Sequence, residues 1–158
     1  MLSIAIVVLS LIGLWNAFYF TFAYYGRVKK ARWIPGILCA REGSSCVTVV
    51  HTPYARVFGV PNSLLGIFFY SGLLVWNVAT ANTHFTEEHF GILFVALWVL
   101  LAAAGTAFIL GIYLIYALVK KIHTHCPLCY LAHAINTVLF AVIIYLVFIF
   151  TYIALEMH

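Results

Sequence analysis

Four long apolar segments, separated by polar ones, dominate the hydrophobic pattern of the chain. Residues 2–25 carry no charge and are long enough to cross a bilayer, which takes roughly 20 helical residues. Apolar runs over 63–81, 90–119 and 127–154 predict three more membrane-spanning helices. The run over 90–119 must tilt or extend beyond the hydrocarbon. The pattern predicts an all-α integral membrane protein with four transmembrane helices that run up, down, up and down.

The polar segments predict one long connection and two short turns. Residues 26–62 hold six of the eight Lys and Arg residues, and their glycines and prolines favour loops and short helical turns. Residues 82–89 and 120–125 predict the two turns. Asn62 or Ser63 is the expected N-cap of the second span.

Composition supports a membrane protein. Of the residues, 66% are hydrophobic and 8% are charged, whereas soluble domains carry roughly 25% charged residues. The net charge of +4 comes from a few loop residues, so no nucleic-acid partner is expected. The first span lacks the preceding basic region and the cleavage site of a secretory signal. We therefore expect a single membrane domain over residues 1–158.

The four cysteines form two local pairs. Cys39 and Cys46 lie in the long first connection, and Cys126 and Cys129 lie at the start of the fourth span. Because successive spans cross the membrane in opposite directions, the first and third connections lie on the same side. The two pairs can therefore meet without crossing lipid.

The Cys-x-x-Cys pair suits redox chemistry. At a helix start, Cys126 and Cys129 can form a disulfide, and the helix N-terminus stabilises a thiolate at Cys126. Cys129 lies one turn deeper, where a hydrophobic electron acceptor would be found. Cys39 and Cys46 fit a second dithiol that exchanges with the first pair through a mixed disulfide. The pattern favours a relay from aqueous thiols to an oxidant dissolved in the membrane.

Polar residues follow the second cysteine on one face of the fourth helix. Cys129, His133 and Asn136 are spaced at i, i+4 and i+7. Polar groups inside membrane helices are costly and often mark a functional site. A carbonyl-bearing ligand such as a quinone would give His133, Asn136 or Asn62 a hydrogen-bond partner. The alternative is that these side chains bridge neighbouring helices.

Other functions are weaker alternatives. The four cysteines could hold a zinc ion or form two permanent disulfides in a non-catalytic membrane protein. Structural zinc sites usually use two closely spaced cysteine arms, whereas here one spacing is wide and the other pair enters the membrane. We therefore expect no metal site. A transporter is less favoured still, because there are only four spans, no inverted repeat and few intramembrane charges.

Taken together, the motifs resemble those of the vitamin K epoxide reductase family. The resemblance covers nearly the whole chain and consists of the following elements in order: the two loop cysteines, Thr52-Pro53-Tyr54-Ala55, Phe58-Gly59-Val60-Pro61, Asn62-Ser63-Leu64-Leu65-Gly66, Cys126-Pro127-Leu128-Cys129 and Ala134-Ile135-Asn136. The resemblance implies a four-helix bundle around a quinone pocket, capped by the cysteine-bearing loop between the first two helices.

The resemblance also implies a role for each cysteine. Cys129 would reduce the quinone, and Cys126 would exchange with Cys46. Cys39 would meet the external thiol substrate. Asn62 matches the asparagine that hydrogen-bonds a quinone carbonyl. The implied activity is that of a thiol:quinone oxidoreductase that generates protein disulfides with a ubiquinone- or menaquinone-type acceptor.

Candidate cofactor-binding residues on this basis are Asn62, Ser63, His133 and Asn136. The chain departs from the animal enzymes at His133, where they carry tyrosine, and Thr52 replaces an expected serine. Many bacterial relatives carry a fifth helix and a fused thioredoxin-like domain, so a separate thioredoxin-like protein is the expected partner here. Its details look more like those of microbial members that oxidise proteins.

The charge distribution predicts an orientation. All eight Lys and Arg residues lie on the cysteine side, and the opposite side carries Glu87, Glu88 and Glu156. Because Lys and Arg favour the cytoplasmic side, we expect a multi-pass protein of a prokaryotic plasma membrane with its cysteines facing the cytoplasm. The alternative is the extracytoplasmic orientation usual for the family.

Overall fold

The computed structural model describes residues 2–27, 45–57, 59–82 and 87–156. Within these ranges, four helices are long and apolar enough to cross a membrane. They are α1 (Leu2–Tyr24), α3 (Asn62–Asn82), α4 (Glu87–Ala117) and α5 (Pro127–Glu156). The predicted all-α membrane bundle of four spans is confirmed.

The described part of the first connection contains short elements. Helix α2 (Ser45–Val50) is followed by a 3₁₀ turn over Pro53–Ala55. Strands β1 (Arg56–Val57) and β2 (Val60–Pro61) then form an antiparallel pair. These elements agree with the expected short turns and loops. Cys39 lies outside the described residues.

Glycine ends the first span. Gly26 adopts a φ of +67°, a conformation that costs glycine little because it has no Cβ. The N–H of Gly26 donates to the carbonyl of Ala23, and the N–H of Arg27 donates to that of Phe22. This pair of bonds is the Schellman arrangement, which satisfies the last carbonyls of a helix. Helix α1 therefore ends at Tyr24, close to the predicted end of the first span.

Helix α4 is longer than the apolar pattern predicted. It begins at Glu87, which we had placed in the polar turn over 82–89, and a π-helical segment (Leu118–Ile122) extends it through Lys120 and Lys121. Charged residues at the ends of a membrane-spanning segment do not break a helix. The helix is therefore longer than the apolar run that defines the span. His123, with a φ of 51°, ends the segment and leads to Pro127 at the first position of α5.

The four spans form a closed ring. Helix α1 packs mainly on α3, and α4 packs mainly on α5, while α1–α5 and α3–α4 contacts complete the ring. Helix α2 packs against α1 and α5 at one end. The core of the bundle contains Ile6, Leu73, Leu97, Leu139 and Ile143, each at most 2% exposed. The ring leaves an interior space near the end that α2 covers.

Candidate functional site

Cys126 and Cys129 form a disulfide at the start of α5, with their Cα atoms 5.2 Å apart. Cys126 immediately precedes the helix, and Cys129 is its third residue. Both are buried, in a cluster with Leu128 and with Leu118 of the π-helical segment. The predicted close pair is therefore present, shielded from solvent at the mouth of the bundle.

The helix terminus acts directly on the sulfur of Cys126. The backbone N–H of Cys129 lies 3.3 Å from Cys126 Sγ and donates to it. The same N–H also donates to the carbonyl of Cys126, 3.1 Å away, so the sulfur shares a donor in the first turn of the helix. A backbone donor and the positive end of the helix dipole both favour negative charge on this atom. Cys126 is well suited to carry a thiolate.

Cys46 brings a third sulfur to the site. Cys46 lies in α2, and its Sγ is 2.7 Å from Cys126 Sγ. Neither residue has measurable solvent exposure. Because α2 contacts both α1 and α5, packing holds Cys46 against the start of α5. The sequence prediction that the two cysteine-bearing connections meet on one side is confirmed for Cys46 and Cys126.

Cys129 faces a cavity of about 590 Å³ inside the helix ring. This volume falls within the roughly 300–1,000 Å³ of small-molecule sites. Its wall is mainly apolar and comes from all four spans. Five residues of the segment after Cys46 also line it: Val49, Val50, Thr52, Tyr54 and Ala55. Cys126 and Cys46 do not contribute to the wall. One member of the disulfide therefore contacts the cavity, and the other contacts the third sulfur.

The four predicted cofactor-binding residues all line this cavity: Asn62, Ser63, His133 and Asn136. Ser63 Oγ and Thr21 Oγ1 are hydrogen-bonded to each other at 2.9 Å, which links α1 to α3. Asn136 Oδ1 accepts one of 2.6 Å from the Tyr70 hydroxyl, which links α3 to α5. These two residues therefore bridge helices, and both also face the cavity.

His133 packs closely against α4. A Cβ atom added to Gly111 would lie 2.9 Å from its Nδ1, so the ring lies directly on the backbone of α4. This Nδ1 is buried and has no hydrogen-bond partner within the described ranges. A residue larger than glycine at position 111 would push the ring away.

Thr52 was noted in the sequence as a departure at a hydroxyl position. Its Oγ1 donates a hydrogen bond of 2.7 Å to the carbonyl of Val49, which caps the end of α2. The residue also lines the cavity. A threonine can make this bond as a serine would.

Most residues of the cavity wall were not predicted from the sequence, and two of them connect to α5. Asn16 of α1 and Tyr70 of α3 both line the cavity and make hydrogen bonds to α5. Asn16 could have been predicted to face the bundle interior, because an uncharged polar residue inside a membrane span usually does so. Tyr70 gives no such signal, since tyrosine is common in this chain.

The arrangement of three sulfurs beside an apolar cavity points to redox chemistry, and comparison with known families agrees. The model of the vitamin K epoxide reductase family matches residues 4–144, which is most of the chain. The chain belongs to the vitamin K epoxide reductase family. No curated protein matches it.

Family membership sets the general activity. The protein is a membrane oxidoreductase of the vitamin K epoxide reductase family, with thiol–disulfide chemistry linked to a quinone. It crosses the membrane several times. Within the described ranges, no group of three or more His, Cys, Asp or Glu side chains is arranged so that it could hold a metal ion.

Proposed function

We propose that the protein oxidises the thiols of a separate thioredoxin-like protein and passes the electrons to a membrane quinone. The observation that carries the proposal is the position of two sulfurs on either side of Cys126. Cys46 Sγ lies 2.7 Å from Cys126 Sγ, and Cys129, the disulfide partner of Cys126, lines the cavity. Electrons that enter at Cys46 can therefore pass by thiol–disulfide exchange through Cys126 to Cys129 at the cavity wall.

The relay begins outside the cavity. A thiolate of the partner protein attacks the Cys39–Cys46 disulfide at Cys39, and a second partner thiol then releases the partner as a disulfide. Two electrons and two protons have now moved from the partner to Cys39 and Cys46. The role of Cys39 follows from the family resemblance.

The second exchange is the one that the geometry supports best. The Cys46 thiolate attacks Cys126 Sγ, forms a Cys46–Cys126 disulfide and displaces Cys129 as a thiolate. Cys39 then attacks Cys46, restores the Cys39–Cys46 disulfide and releases Cys126. The N–H of Cys129 that donates to Cys126 Sγ stabilises the released thiolate.

The cavity fits a quinone head group. Its wall is largely apolar, and polar side chains face it at several points. We assign Asn62, Ser63, His133 and Asn136 to the head group, with Asn62 as a donor to a carbonyl. A bound quinone accepts two electrons and two protons and leaves as the quinol. Cys129 and Cys126 give up these electrons and protons as their thiols close into the disulfide again.

The basic residues suggest which compartment supplies the thiols. Arg27, Arg56, Lys120 and Lys121 all belong to the connections at the cysteine end of the bundle. We propose that this end faces the cytoplasm of a prokaryote. The proposed acceptor is a ubiquinone- or menaquinone-type molecule from the membrane pool.

Purified variants test the relay. Cys129→Ala should abolish quinone reduction by a small dithiol such as dithiothreitol, because no thiol then faces the cavity. Cys39→Ala should retain this reduction but lose reduction by a thioredoxin-like protein. Unchanged quinone turnover in Cys129→Ala would overturn the assignment of roles.

The same preparations test the non-catalytic alternative. Metal analysis and mass spectrometric mapping of cysteine states should find no bound zinc and a Cys126–Cys129 disulfide that responds to dithiol and quinone. Bound zinc, or two disulfides that neither reagent changes, would instead indicate a structural role for the cysteines.

A further inference from the structure

We propose that Asn16 of α1 is a binding residue for the reduced form of the quinone, accepting a hydrogen bond from a quinol hydroxyl. This inference rests on the proposed function, because it places a quinone in the cavity. It adds a residue that the sequence motifs do not include. It also predicts that the site binds the quinol more tightly than the quinone, because a hydrogen-bond acceptor can bind a hydroxyl group but not a carbonyl group.

The first step is the orientation of the Asn16 amide. Asn16 Nδ2 donates a hydrogen bond of 3.0 Å to the backbone carbonyl of Leu128, in the first turn of α5. A carbonyl oxygen can only accept, so the atom that faces it must be the nitrogen of the amide. The bond therefore fixes the orientation, and Oδ1 points away from Leu128.

The second step is the environment of the oxygen. Asn16 is 1% exposed, and Oδ1 has no hydrogen-bond partner within residues 2–27, 45–57, 59–82 and 87–156. Burying an acceptor without a donor is costly, and such groups are rare in folded proteins. Asn16 also lines the cavity. A ligand in the cavity that reaches this side chain would supply the missing donor.

Several hydroxyl groups of the cavity wall are already engaged elsewhere. Thr52 donates to Val49, Tyr70 donates to Asn136, and Thr106 donates to Ala102. These three hydroxyl groups therefore have no proton left to donate to Asn16 Oδ1, whereas a ligand in the cavity can provide one. The ligand must carry an O–H or N–H group to satisfy it.

The chemistry of the proposed acceptor meets this requirement in one redox state only. A quinone head group has carbonyl oxygens and no donor, whereas the quinol has two hydroxyl groups. Asn16 is hydrogen-bonded to Leu128, the residue directly before Cys129. The Asn16 side chain therefore lies at the same end of the cavity as the reacting sulfur. Tighter binding of the quinol favours electron transfer out of the dithiol, because the product of that step gains a bond.

A binding experiment tests this without turnover. All proteins carry Cys129→Ser, so that neither form of the probe reacts with the disulfide. Dissociation constants are measured anaerobically for 2-methyl-1,4-naphthoquinone and for its quinol, from quenching of tryptophan fluorescence. The variant is Asn16→Leu, which keeps the number and branching of the side-chain heavy atoms and removes the acceptor. The matched control is Ser3→Ala, which removes another interhelical hydrogen bond of α1, to Asn77, away from the cavity.

With Asn16 present, we expect the quinol to bind about tenfold more tightly than the quinone, as one buried hydrogen bond allows. Asn16→Leu should bring the two dissociation constants to within about twofold of each other, through weaker quinol binding. Ser3→Ala should keep the tenfold preference. A general loosening of the bundle would weaken both forms equally and would leave their ratio unchanged.

Two results would overturn the inference. One is equal affinity for quinol and quinone when Asn16 is present, a result that requires only the parent Cys129→Ser protein to fold. The other is an unchanged preference in Asn16→Leu. In both cases, saturable binding of the probe would still support the proposed quinone site. If neither form binds to any of the proteins, the proposed quinone site itself is wrong, and the role of Asn16 falls with it.

Discussion

The Tyr70 hydroxyl donates a hydrogen bond of 2.6 Å to Asn136 Oδ1 and so joins α3 to α5 across the cavity wall. The Tyr70 ring lies directly over Gly13 of α1, where an added Cβ atom would clash with it. One side chain therefore connects three of the four spans. Because Asn136 lies two turns after Cys129 on α5, this contact also orients the polar face of that helix toward the cavity.

Removing the hydroxyl should destabilise the bundle. We expect Tyr70→Phe to lower the free energy of unfolding in detergent micelles by about 1–2 kcal/mol, because Asn136 Oδ1 loses its donor. Tyr145→Phe is the matched control, since Tyr145 is also in a span but is 56% exposed on the outer surface of the bundle. Equal stability of the two variants in a thermal or denaturant titration would contradict a role for the hydrogen bond.

Gly111 should be required for the position of His133. In Gly111→Ala the new methyl group would meet the imidazole, and we expect the KM for a short-chain quinone to rise about 3- to 10-fold as the ring shifts into the cavity. Gly91→Ala is a control on the same helix, because a Cβ atom there meets nothing within 4 Å. Both changes raise helix propensity alike.

The comparison separates the effect of helix propensity from that of the contact. Gly91→Ala should leave the KM for quinone unchanged, and both proteins should retain the disulfide between Cys126 and Cys129. A KM in Gly111→Ala equal to that of Gly91→Ala would show that the histidine does not contribute to quinone binding.

The spans could be predicted because their apolar runs are long, but their ends could not be predicted as well. The polar residues that begin α4 and those of the π-helical segment looked like turns, yet the helix continues through them. A backbone keeps its hydrogen bonds in the interface whatever the side chains are. The hydropathy pattern predicts the extent of the apolar, lipid-facing segment. The end of the helix depends instead on where its backbone hydrogen bonds stop.

The meeting of the cysteines could be predicted from the sequence, whereas most of the cavity wall could not. Their spacing and the alternation of the spans place Cys126 and Cys46 on one side, which the contact between them confirms. Tyr70 and Gly13 could not be found in this way. In a membrane helix, apolar residues cover both the lipid face and the interior face, so the pattern does not show which face turns inward. Phe68 is 70% exposed and Tyr70 is 3% exposed, although both are aromatic residues of α3.

The contact between Cys46 and Cys126 predicts a specific mixed disulfide. In Cys39→Ala/Cys129→Ala, both thiols that could resolve it are gone, so oxidation with diamide should link Cys46 to Cys126 in most molecules. The Cys46→Ala/Cys129→Ala protein is the control, because it pairs Cys126 with Cys39 instead. Mass spectrometry of protease fragments measures the link. Faster or more complete linking in the control would contradict the assignment of Cys46 as the exchanging cysteine.

The orientation of the cysteine end can be tested with one cysteine at each end of the bundle. The first protein keeps Cys39 alone, with the other three cysteines changed to serine. The second has all four changed to serine and adds Leu155→Cys, near the end of α5 that is opposite to Cys126. Leu155 is 73% exposed, and the 30 residues of α5 span about 45 Å, so this end extends beyond a hydrocarbon layer of about 30 Å.

Intact cells are then treated with a membrane-impermeant maleimide. If the basic residues hold the cysteine end in the cytoplasm, Leu155→Cys should be labelled in intact cells, and Cys39 should be labelled only after the cells are opened. The reverse pattern would place the cysteines outside and would make an extracytoplasmic thiol protein the electron donor. Labelling of both proteins after lysis shows that each thiol is accessible, so protection in intact cells reports the side of the membrane.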